Sequence, residues 1–192
     1  MSHALLLPGL HYGPSAPLLA YASEVVGRRG ATVHLHTWSP DPPGVFSPAI
    51  EAWIQTQVTT ALDGLATTGD APPLVIGKSL GTNAAGLAAD RKLPAVWLTP
   101  LLHLPWVVDA MRRAGAPMLL VGGTADRSWD SAIANDLSPY VVEVPDADHG
   151  LMVPGPVVDS VAVLARVVVA IEEFLDTVGW PTGKHDQPSD RS

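Results

Sequence analysis

The chain has 192 residues, 47% of them hydrophobic, and a formal charge of −8 from 19 acidic and 11 basic residues. That length supports one domain whose core needs no staple, and the hydrophobic share excludes global disorder. The acidic balance and scattered Lys and Arg exclude a nucleic-acid footprint or attraction to an anionic membrane, no apolar run is long enough to span a bilayer, and the absence of cysteine removes disulfides, thiolate metal sites and thiol nucleophiles.

The first apolar run, Ala4 to Leu7, reads as a strand. Its N-terminal flank lacks a positive start and the run is too short for a secretory signal, so a cytoplasmic protein is expected. After the loop Pro8-Gly9-Leu10-His11-Tyr12-Gly13 comes a helix near Ala16 to Arg29, closed by Gly30, then a strand from Thr32 to His36. Pro40 to Pro48 reads as a proline-rich surface loop, and Ser47 is placed to cap a helix from Pro48 to Leu62 with Pro48 at its first position. Four more strands are expected at Leu74 to Gly77, Ala95 to Leu98, Met118 to Val121 and Tyr140 to Val144. Helices alternate with them at Leu80 to Asp90, Leu104 to Ala114 and Ser128 to Leu137. A last helix runs from Val157 to Val178 and is stopped by Gly179 and Pro181.

Alternating strands and amphipathic helices read as an α/β fold, a mainly parallel sheet of about six strands with helices on both faces. Residues 1–179 form the single expected domain, and 180–192 a polar, flexible tail. The last helix is apolar around most of its circumference, which predicts burial within the monomer. The alternative is a second buried face in a homodimer.

Gly77-Lys78-Ser79-Leu80-Gly81 lies between the strand at Leu74 and the following helix. A Gly-x-Ser-x-Gly in that context is a nucleophile elbow, because small residues permit a turn tight enough to push the serine hydroxyl out of the sheet. A serine hydroxyl needs a base within hydrogen-bond reach, itself oriented by a carboxylate. Two later strand ends supply candidates, Asp126 in Gly122-Gly123-Thr124-Ala125-Asp126 and His149 in Asp146-Ala147-Asp148-His149-Gly150. Each falls just beyond the carboxyl end of a strand, where open α/β sheets place their sites.

With Ser79, Asp126 and His149 in that order, the chain resembles the α/β-hydrolase superfamily in a minimal form. That minimal form is expected to be without a cap domain and without the two usual N-terminal strands. The resemblance runs from Leu5 to about Leu175. It implies an oxyanion hole made by the backbone N–H of Leu80 and one from the Pro8 to Gly13 loop, Leu10 first and His11 second. It also implies a serine hydrolase acting through an acyl-enzyme on a small carboxylic ester. Thioester or amide cleavage and acyl transfer would use the same residues. A non-catalytic binding module on the same fold is the alternative from another class. The short stretch between Leu98 and Met118 predicts an open, shallow site.

Blander readings stand beside these. Ser79 could merely cap a helix, Asp126 could cap the next one or pair with Arg127, and Asp130 and Asp109 are rival acids. Asp146 and Asp148 read as solvated turn residues. Lys78 is expected to point outward and pair with an acid, the alternative being that it eases negative charge beside the nucleophile. His34 and His36 share a strand face as two metal ligands would, but no third ligand is visible and a polar strand end is preferred. No metal and no cofactor are expected. His11, Tyr12, His103, Trp106 and Trp129 are candidate pocket residues, with core packing an equal possibility for the tryptophans. Gly77-Lys78-Ser79 is not a phosphate loop, because Pro72 stands where a leading glycine would be needed.

Overall fold

The computed structural model describes residues 1–39, 42–44, 47–66 and 71–181; part of the expected Pro40 to Pro48 loop and the tail beyond residue 181 lie outside the described residues. Six strands form one sheet: β1 (His3–Leu7), β2 (Thr32–Leu35), β3 (Leu74–Lys78), β4 (Ala95–Leu98), β5 (Met118–Gly123) and β6 (Tyr140–Val144). Their order is β2-β1-β3-β4-β5-β6 and every pairing is parallel. Strand order reverses between β1 and β3, so the loops leaving those two strands diverge and open a crevice at the carboxyl edge.

Alternation along the strands divides the core in two. Leu5, Leu7, Val75, Trp97 and Leu120 face one side, covered by α2 (Ala49–Ala66), α3 (Ala85–Asp90), α4 (Pro105–Arg112) and α5 (Ser131–Leu137). Ala4, Leu6, Leu74, Ile76, Val96 and Val121 face the other, covered by α1 (Pro17–Arg28) and α6 (Val157–Thr177). Central strands sandwiched this way read as continuous apolar runs rather than alternating ones, which is how β1, β3 and β5 look in the sequence. Ser47 does cap α2, its Oγ accepting from the Ala49 N–H at 3.3 Å.

Four expectations change. The helix expected over Leu80 to Asp90 begins as a 3₁₀ helix at Ser79–Ala84 and becomes α-helical at Ala85, since the turn after β3 is too tight for i→i+4 bonding. The helix expected from Ser128 starts at Ser131 instead, because the Asp130 carboxylate accepts from the Ile133 N–H at 2.9 Å and caps it. Helix α6 buries only the stripe Ser160, Val167, Ile171, Phe174 and Leu175; Val157, Val158, Val161 and Val169 are exposed, so its apolar circumference is not consumed within the monomer. Trp180, expected in the tail, is 4% exposed and packs against the α1 and α6 core with Nε1 donating to the Pro72 carbonyl at 3.4 Å. Among the described residues no helix is long and apolar enough to cross a membrane.

Candidate active site

Ser79 follows β3 directly and has φ +51, a left-handed value that a residue with a Cβ adopts only when its surroundings impose it. Here both flanking glycines do so by contact. A Cβ on Gly77 would lie 2.6 Å from the Trp97 ring, and one on Gly81 would lie 2.4 Å from the Leu7 carbonyl oxygen. Side chains of the 3₁₀ segment then fasten the turn. Thr82 Oγ1 donates to the Ser79 carbonyl at 2.7 Å and accepts from the Leu101 N–H at 3.3 Å, while Asn83 Nδ2 donates to the Leu80 carbonyl at 3.0 Å.

The loop after β5 brings Asp126 beneath the loop after β6. Asp126 Oδ1 accepts from the Ser128 N–H at 2.8 Å, and its side chain is 2% exposed. His149 lies between it and the serine, Nδ1 2.7 Å from Asp126 Oδ2 and Nε2 2.7 Å from Ser79 Oγ. With the carboxylate ionised, Nδ1–H donates to Asp126, and Nε2 is left to accept the serine proton. Burial pushes the Asp126 pKa up, but the His149 hydrogen bond, the Ser128 N–H and the His149 and Lys78 charges together hold it below its ordinary 3.8. Asp148 makes the turn that presents His149, its Oδ1 accepting from the N–H groups of Gly150 at 2.7 Å and Met152 at 3.0 Å. The rival acids are used elsewhere: Asp130 caps α5 and the exposed Asp109 pairs with Arg112.

Leu80 is buried immediately after Ser79. Leu10 is 40% exposed and follows Gly9, whose added Cβ would sit 3.5 Å from the Ser79 Cβ, so this loop lies against the Ser79 turn. Two contacts shape it, the Gly9 N–H to the Tyr12 carbonyl at 3.1 Å and Trp38 Nε1–H to the Pro8 carbonyl at 3.0 Å. Trp38, in turn, is wedged between His36 (4.4 Å between centroids) and Trp53 (5.5 Å). Nothing in the sequence around Trp38 signals this role, since its partner lies thirty residues away.

His11 is exposed on the same loop, and the Tyr12 hydroxyl accepts from the Leu18 N–H at 2.9 Å. His103 and Trp129 line a groove of about 380 Å³ with Leu102, Pro105 and Arg127. Burial lowers the His103 pKa, and the ring feels the charges of both Asp126 and His149. Trp129 also donates to Glu143 at 2.7 Å. Trp106 packs against the core and donates to Asn83 Oδ1 at 2.9 Å, bracing the Ser79 turn from α4.

Lys78 does not point outward. Successive strand residues face opposite ways, so Lys78 shares the face of Leu74 and Ile76 and is 3% exposed beneath α1 and α6. His34 bonds His3 at 3.1 Å while His36 stacks on Trp38, and among the described residues no three His, Asp or Glu side chains form a group able to hold a metal.

No family model and no curated protein matches the sequence. Solved structures do match its shape. Est1E from Butyrivibrio proteoclasticus is similar at a TM-score of 0.69 and 16% identity, over 92% of this chain and 87% of that one. Dienelactone hydrolase from Anabaena variabilis gives 0.68 and 19% over 93% and 87%. A Xanthomonas campestris protein described as an α/β serine hydrolase without lid gives 0.62 and 16% over 96% and 84%.

Proposed function

We propose that this chain, whose fold is that of the α/β-hydrolases, is a serine hydrolase that cleaves a small carboxylic ester by way of an acyl-enzyme. The observation that carries the reading is the unbroken run of 2.7 Å contacts from Asp126 through His149 to Ser79, with the serine held in a left-handed turn. His149 Nε2 takes the hydroxyl proton as Ser79 Oγ attacks the carbonyl. Asp126 keeps the ring in the required tautomer and stabilises the imidazolium. The negative charge on the former carbonyl oxygen is received by the N–H groups of Leu80 and Leu10. His149 then gives its proton to the leaving alcohol, and a water activated by the same ring releases the acyl group.

The stretch from Leu98 to Met118 holds only the short α4, which supports an open site for a small substrate. A binding module would have no use for a serine poised on a base that is itself held by a carboxylate. The test combines a fluorophosphonate probe, with the adduct located by mass spectrometry, and a panel of nitrophenyl acyl esters. Labelling at Ser79 is expected, with turnover falling by roughly 10³-fold or more in Ser79→Ala. Folded parent protein with no adduct at Ser79, or turnover unaltered in Ser79→Ala, would overturn the reading.

A further inference from the structure

One buried cation at this site has no part in the steps just given. The Lys78 ammonium lies inside the α1 and α6 face, donates to the His149 carbonyl at 3.1 Å and sits 4.8 Å from the centroid of the Tyr12 ring. Its stem passes 3.4 Å from where a Cβ on Gly9 would be. No carboxylate among the described residues is within ion-pair distance of it. A lysine is rarely buried unless paired, and this one spends its contacts on two loops that share no strand.

We propose that Lys78 is a positioning residue for the Ser79 reaction, its ammonium tying the loop that carries His149 to the loop that carries Leu10. This inference rests on the serine-hydrolase reading. The hydrogen bond to the His149 carbonyl is charge-assisted and sets the height of the imidazole above Ser79. The cation over the Tyr12 ring holds the far side of the Gly9-to-Tyr12 turn. Both contacts weaken when the same proton leaves, so base and oxyanion donor lose their common anchor together.

The groups facing Lys78 are Tyr12 from the loop after β1, Asp126 from the loop after β5, and Asp148 and His149 from the loop after β6. Burial lowers the Lys78 pKa from 10.5 to about 8, against the opposing pull of Asp126 and Asp148. A serine–histidine mechanism alone gives no reason for activity to fall on the alkaline side. An anchor that titrates adds a fall on the alkaline side.

The experiment measures the rate of Ser79 modification by a fluorophosphonate, and kcat and KM on a nitrophenyl ester, from pH 6 to pH 10, in the parent and in Lys78→Met. The parent is expected to lose kcat above about pH 8 with little change in KM. Lys78→Met is expected to be about 10-fold slower at pH 7, with no alkaline fall and a thermal midpoint no lower than the parent's. An alkaline fall that persists in Lys78→Met, or parental rates in that variant at pH 7, would overturn the inference alone. Failure of the probe to label Ser79 in the parent would overturn the hydrolase reading and this inference with it. If Lys78→Met does not fold, the parent's profile decides: a level rate from pH 7 to pH 10 counts against the anchor, and a fall near pH 8 supports it.

Discussion

At the end of β3 the chain turns through Ser79 because the packing around Gly77 and Gly81 leaves room for no other path, with Trp97 on one side and the Leu7 carbonyl on the other. At the end of β1, on the opposite bank of the same crevice, nothing comparable confines Pro8 to Gly13. That loop keeps Leu10 and His11 in solvent and is fastened from outside, by Trp38 on the Pro8 carbonyl and by Lys78 under Tyr12. One bank is fixed by contacts shorter than any side chain tolerates, the other by a few hydrogen bonds and a cation. The position of Ser79 is therefore a property of the core, whereas His149 and Leu10 depend on polar ties.

Cutting the polar side at its strongest link should have the largest effect. Asp126→Asn leaves the imidazole without the acceptor that selects its tautomer, and kcat on a nitrophenyl ester is expected to fall by about 10⁴-fold while the far-ultraviolet dichroism stays unchanged. Breaking the packed side should act on stability as much as on rate. Gly81→Ala drives a methyl into the Leu7 backbone, for an expected loss of about 3 kcal/mol in urea unfolding, and retention of parental stability would show the turn to be less confined than its contacts imply. Trp38→Phe keeps the aromatic stack and removes one N–H, so a loss of about 10-fold in kcat with parental stability is expected.

The smallest effect is electrostatic. The folded-state pKa of Asp126 lies below its ordinary 3.8, so the ionised carboxylate adds stability that is complete above that value and is lost as pH falls through the folded one. Acid unfolding of the parent should therefore steepen below about pH 4, and Asp126→Asn should flatten that limb. Lys78 gives a slope of the same sign at higher pH. Its pKa is lowered to about 8, so the folded state sheds the proton before the unfolded state does, and stability should rise between about pH 8 and pH 10.5.

Much of the scaffold was readable from pattern. Short runs bounded by turn residues locate six strands to within one or two residues; the central ones stand out because strands buried on both faces are apolar throughout, while the edge strands β2 and β6 are only partly buried. The order Ser79, Asp126, His149 was legible because each residue sits at a strand end, and a parallel sheet gathers those ends on one edge. Less visible were the details set by neighbours distant in sequence. That the Asp130 carboxylate caps α5 and that the Trp106 N–H meets Asn83 are set by neighbours the linear pattern does not show.

By itself the sequence determined the β/α alternation, the tight glycine-flanked turn and the set of side chains able to move a proton, since these follow from local periodicity and residue chemistry. Tertiary structure alone decided which way Lys78 points, which tryptophan braces the Pro8 loop and that Trp180 belongs to the core. Those outcomes depend on what stands opposite a residue once the sheet has assembled, and a linear pattern carries no information about neighbours thirty to a hundred residues away.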